Sequence, residues 1–153
     1  MTGEDHLIGV GKIVGNLLAL ERLIRIFLCR AAGEKLEYPT ESTEQLPETH
    51  LTNYDALGDL IDEHNAGLSE AEHEYRVDSA VVEVRDALAH GRASSKHQGF
   101  PLTLCKFGRP DSSKMVPVEF FAVLDQAWFD AQRASISAQI DAVVNCSKSR
   151  KYK

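Results

Sequence analysis

The sequence predicts a mainly α-helical domain, an up-down bundle of about four helices with a small β-hairpin inserted before the last. Three observations carry that expectation. Apolar residues recur at three-and-four spacing over four segments, the period that lays one buried stripe along a helix. Ahead of the last segment the period switches to alternation about a turn, as in a hairpin. The 153 residues, 43% hydrophobic and 26% charged, suit one domain over residues 1–153 and exclude disorder of the whole chain.

The first stripe runs from Leu7 to Ala31 through Val10, Ile13, Val14, Leu17, Leu20, Ile24, Phe27 and Leu28, and Gly33 marks its end. Glu21 falls inside it, where a carboxylate is costly without a partner. An ion pair with Arg25 one turn on would satisfy it. Alternatively, Glu21 supports a polar site. Residues 33–53 carry Pro39, Pro47 and five glutamates with few apolar residues, so a long acidic loop is expected, either mobile or a lid.

A short helix follows over about Tyr54 to Asn65, with Leu57, Leu60 and Ile61 inward and Gly67 closing it. Ser69 and Glu72 form a capping box that opens the next helix. Its stripe is Val77, Val81, Val84 and Leu88, and it runs to His90 with Gly91 as terminator. Leu102, Leu104 and Phe107, the turn from Gly108 to Ser113, and Val116, Val118 and Phe120 make the hairpin, about 100–121. Asp125 caps the final helix, whose stripe is Trp128, Phe129, Gln132, Ile136, Ile140 and Val143; a basic, frayed tail follows over 147–153.

Cys29, Cys105 and Cys146 stand far apart with no C-x-x-C pair, so neither a disulfide framework nor a zinc site is expected, and a reducing cytoplasm is the expected setting. No apolar run approaches the roughly 18 residues of a membrane span. Net charge is −6, which at first argues against a polyanionic partner, but the charge is divided. Residues 1–84 carry 6 basic and 17 acidic side chains, whereas residues 85–153 carry 11 and 6. The basic half can therefore meet RNA.

That half opens with V-R-D-A-L-A-H-G-R, which gathers Arg85, Asp86, His90 and Arg92 at a helix carboxyl end. A guanidinium clamps a phosphate through paired hydrogen bonds, and an imidazole titrating near pH ~6.5 exchanges protons around neutrality. Asp86 lies four residues before His90, a spacing at which it could orient the ring. Five helical positions turn about 140°, so Arg85 and His90 do not share a face while both are helical. Either the last turn unwinds or a second chain completes the site. Arg92 and His97 repeat the R-x4-H spacing, but in a polar segment without helical period.

R-D-A-L-A-H-G-R at the end of a core helix resembles the R-x4-6-H motif of the HEPN superfamily, helical domains that are often metal-independent endoribonucleases. The first helix, G-K-I-V-G-N-L-L-A-L-E-R-L-I-R-I-F-L, and the blocks L-T-L-C-K-F-G-R-P and V-P-V-E-F are similar to prokaryotic members of that group. The resemblance implies a homodimer with a composite cleft and cleavage of RNA by the ribose 2′-hydroxyl. It makes His90 the proton carrier and Arg85 the stabiliser of the phosphorane, with Asp86 positioning one or the other and no cofactor or metal. Arg92, Lys96, Lys106 and Arg109 would bind the RNA backbone. A toxin or antiviral effector, with a possible antitoxin protein as partner, fits the same likeness. Toxins of the superfamily silenced by nucleotidylation often carry tyrosine two residues after the histidine; Arg92 stands there, so that regulation is not implied.

Two further classes of function are compatible with these residues. One is a catalytically silent RNA- or nucleotide-binding dimer or protein-interaction module, because many members of the superfamily lack activity. The other is a small-molecule enzyme using Glu21 and His90 as an acid and base. A purely structural motif would pair Arg85 with Asp78 and leave His90 as a helix cap.

Overall fold

The computed structural model describes residues 1–42, 44–95 and 99–150, and among them are four α-helices and one three-stranded antiparallel sheet. The chain is mainly helical, as its periodicity predicts. In order come α1 (Gly3–Ala31), α2 (Leu57–Ala66), a 3-10 helix (Glu70–Tyr75), α3 (Ala80–His90), β1 (Arg92–Ser94), β2 (Thr103–Phe107), β3 (Val118–Val123) and α4 (Gln126–Ser149). These form two compact units. The motif unit comprises Met1–Leu17 and Ala80–Ile136; the loop unit comprises Leu18–Ser79 and the chain from Ser137 onward.

In the motif unit, Thr2 caps α1, its hydroxyl accepting the Asp5 amide at 3.1 Å. Ile13 and Leu17 of α1, Val81, Val84 and Ala87 of α3, Leu104 and Ala122 of the sheet, and Phe129 and Ile136 of α4 are buried. Gly9 allows a close approach, since a Cβ there would lie 2.9 Å from the Phe129 ring. Asp125 starts α4 as the sequence predicts, accepting the Trp128 amide at 2.8 Å. Val14, by contrast, is exposed, because it sits at the edge of the apolar arc rather than inside it.

The sheet order is β1-β2-β3, one strand more than the predicted hairpin. Arg92 pairs with Cys105 and Ser94 with Thr103, so the chain leaving α3 turns at once into an edge strand. Along β2 and β3, Leu104 and Ala122 face the core, while Cys105 and Phe121 pair on the opposite face. In the β2–β3 connection, Asp111 accepts the amides of Ser113 and Met115, each at 2.9 Å, and Lys114 takes a φ of 63°.

In the loop unit, Leu20, Ile24 and Phe27 of α1 and Leu60 and Ile61 of α2 share the core with His64 and with Val143 and Cys146 of α4. The single helix expected from Ser69 to His90 is broken. Glu72 accepts from the Ser69 amide and hydroxyl, so the capping partners do meet. The chain nevertheless leaves the 3-10 turn, because Asn65 binds both backbone groups of Val77 at 2.8 Å and Gln139 accepts the Asp78 amide at 2.9 Å. Those bonds satisfy outside a helix what a helix would otherwise satisfy.

The acidic loop contains no helix or strand among its described residues, yet it is tied down. Arg25 donates to the His50 carbonyl at 2.9 Å, to Asn53 Oδ1 at 2.7 Å and to the Asp55 carbonyl at 2.7 Å. His50 stands between two carboxylates, Nδ1 2.8 Å from Glu34 and Nε2 3.0 Å from Glu63. The tail is likewise held as far as it is described. α4 continues to Ser149, and Arg150 binds Glu72 at 2.7 Å, donates to the Gly67 carbonyl at 2.8 Å and lies 4.8 Å from the Phe27 ring. Its remaining residues, 151–153, lie outside the described part of the chain.

Candidate functional site

α3 remains helical through His90, and the Gly91 amide still bonds the Ala87 carbonyl at 2.8 Å. The last turn is therefore not unwound, which removes the first of the two ways of bringing an arginine and a histidine of this motif to one site. They project about 140° apart around the axis. Gly91 is glycine for want of space. A Cβ would lie 2.3 Å from the Ala87 carbonyl oxygen and 3.1 Å from that of Cys105. Only a bare α-carbon lets the helix end press against β2, and this contact fixes where His90 and Arg92 stand.

Arg85 is exposed and donates from Nη1 to Asp86 Oδ1 at 3.0 Å, with 43% of its side chain accessible. The other oxygen of Asp86 faces Lys106 at 3.9 Å, and Lys106 is 3.5 Å from Glu119. Asp86 thus orients the arginine rather than the histidine; Lys106, reaching over from β2, holds the carboxylate on that side. The ring of Lys106, Asp86 and Glu119 with Val82, Glu83 and Phe120 surrounds a recess of about 220 Å³. His90 is exposed at the carboxyl end of α3.

The four residues expected to meet an RNA backbone fall in different settings. Arg92 is exposed on β1 with its guanidinium 5.6 Å from the Phe107 ring centroid. Arg109 is exposed in the β2–β3 connection. Lys106 is occupied by Asp86 and Glu119, so its charge is largely compensated within the unit. Lys96 lies outside the described residues.

Glu21 takes the first of its two readings. It accepts from Arg25 Nε at 3.0 Å and so belongs to the arginine that pins the loop. Arg25, Glu21, Glu37 and Tyr38 also border a cleft of about 440 Å³ in the loop unit. Sequence reasoning missed the Arg25 and His50 constellations, whose partners lie up to 30 residues away. A near signal existed: Arg25 interrupts the apolar run Leu23, Ile24, Ile26, Phe27 and Leu28, and an arginine held among such residues must find acceptors.

The three cysteines are free thiols, Cys29 and Cys146 buried and both pushed up by that burial. No helix of the described residues is long and apolar enough to cross a membrane, and no group of three or more His, Cys, Asp or Glu among them is arranged to hold a metal ion. No family model matches the chain, and no curated protein or solved structure matches it either.

Proposed function

We propose that the chain is an endoribonuclease of the HEPN type that acts as a homodimer. The observation that supports this best is the intact end of α3, which presents an Asp86-oriented Arg85 and His90 as exposed groups of complementary chemistry. Because one helix points them apart, two copies are needed to bring a guanidinium and an imidazole to one phosphate. An apolar strip on α1, with Leu7 and Ile8 exposed beside Gly11, offers such a copy a surface.

In the proposed reaction the ribose 2′-oxygen attacks the adjacent phosphorus, and the bond from phosphorus to the 5′-oxygen breaks. The products are a 2′,3′-cyclic phosphate and a 5′-hydroxyl. His90 accepts the 2′-hydroxyl proton, and an imidazolium returns a proton to the leaving oxygen. Arg85 binds the equatorial oxygens as charge accumulates there. Asp86 holds the guanidinium in one orientation, so less freedom is lost when the phosphate arrives.

Single-stranded RNA incubated with the protein in EDTA should yield fragments ending in a cyclic phosphate, identifiable by mass. His90→Ala should slow this about 10²–10⁴-fold and Arg85→Ala about 10²–10³-fold, with the dimer retained in light scattering. Undiminished cleavage by both variants overturns the proposal. RNA bound without any product would instead make the chain a silent binding module.

A further inference from the structure

We propose that the open face of the three-stranded sheet is a stacking platform for the bases of single-stranded RNA, a role that rests on the ribonuclease reading. The sheet has one face in the core, through Leu104 and Ala122. The other carries the row Arg92, Cys105 and Phe121 and, beside it, Ser94, Thr103 and Val123. Phe121, midway along the edge strand β3, is 62% exposed, and Phe107 and Val123 are exposed too. Phe121, Phe107 and Val123 occupy neighbouring positions of β2 and β3, and exposed apolar side chains grouped in this way, unlike single ones, point to a binding surface.

Three features make the occupant a nucleobase strand rather than another apolar surface. A cleft of about 370 Å³ opens on the same face, walled by Phe100, Phe121 and Val123 with the polar side chains of Ser95 and Thr103 at its rim. That volume lies at the lower end of the range for small-ligand clefts, about 300–1,000 Å³, suited to a flat ring with a polar edge. The charged group on the face is Arg92, whose guanidinium already lies against Phe107, a cation placed to meet a phosphate between stacked bases. Continuity supplies the third argument. Arg92 is two residues beyond His90, and Gly91 presses the helix end onto β2, so a strand lying across the sheet leads directly to the proposed catalytic turn.

The face should therefore bind bases as well as charge. Its test uses labelled 2′-O-methyl decauridylate, which lacks the attacking hydroxyl, against an abasic phosphodiester of equal length and charge. Anisotropy should show tighter binding of the base-bearing strand. Phe121→Ala should weaken it about tenfold with an unchanged salt slope, Phe121→Trp should restore it, and Arg92→Ala should lower the salt slope by about one. Equal affinity for the two oligomers, or wild-type binding by Phe121→Ala, overturns the proposal. A change of oligomeric state in Phe121→Ala would also overturn it, by assigning the face to a protein partner. The ribonuclease reading fails separately, if unmethylated RNA stays intact while the methylated strand still binds.

Discussion

Arg25 in the loop unit and Arg85 in the motif unit both project from core helices, and their surroundings differ in kind. Arg25 is 12% exposed and divides its donors among Glu21, Asn53 and the carbonyls of His50 and Asp55. Arg85 is 43% exposed and meets the adjacent carboxylate of Asp86. A guanidinium that saturates backbone carbonyls is a structural rivet, whereas one steered by a single neighbouring carboxylate keeps donors for a visiting anion.

The largest expected effect is on the rivet. Arg25→Ala leaves three backbone or amide acceptors and the half-buried Glu21 without their cation, and should destabilise the fold by about 3–5 kcal/mol in urea unfolding. Arg85→Ala, removing an exposed pair, should change stability by no more than about 0.5 kcal/mol. Similar losses in the two variants would break the contrast.

Next is the contact that aims the motif. Gly91→Ala puts a methyl group against two backbone oxygens that cannot rotate away, so α3 and β2 must separate. A loss of about 1–3 kcal/mol is expected, with cleavage reduced beyond what stability explains, because His90 and Arg92 shift together. Gly11→Ala is the control for stability alone, since a Cβ there meets open space within the protomer. If both substitutions are silent, the packing of the helix end does not position the motif.

How much of this was legible in the sequence follows from the range of the forces involved. α1, α2 and α4 were readable because their stripes are local and their caps lie within a few residues. The break between the 3-10 turn and α3 was not, because Asn65 and Gln139 compete for the backbone of Val77 and Asp78 from 12 and 61 residues away. β1 was invisible for another reason: R-A-S is three residues long with one small apolar side chain, too short to show alternation, and only β2 makes it a strand. At the motif, spacing placed Asp86 within reach of His90, but Lys106 from β2 decides which way the carboxylate turns. The loop's composition told correctly that it would form no regular element, and it concealed the arginine waiting on α1.

The smallest effect tests whether the loop is held by charge as well as by Arg25. His50 presents both ring nitrogens to carboxylates, which accept only, so it is the charged ring, with a proton on each nitrogen, that satisfies both. Burial opposes this charge, but Glu34 and Glu63 outweigh it and raise the pKa above the ordinary value. A raised pKa gives stability that is complete below the unfolded value, about 6.5, and lost as pH rises through the folded one. His50→Gln should therefore cost about 1 kcal/mol at pH 5.5, reduced by the half-exposed Glu63, and less at each step towards pH 9. His64 and His6, whose burial lowers their pKa, act in the opposite sense, weakening the fold as pH falls through about 6.5. They do so in wild type and variant alike, so the difference between the two proteins isolates His50. A gap of constant size across that range would mean that the ring is neutral and that Arg25 alone holds the loop.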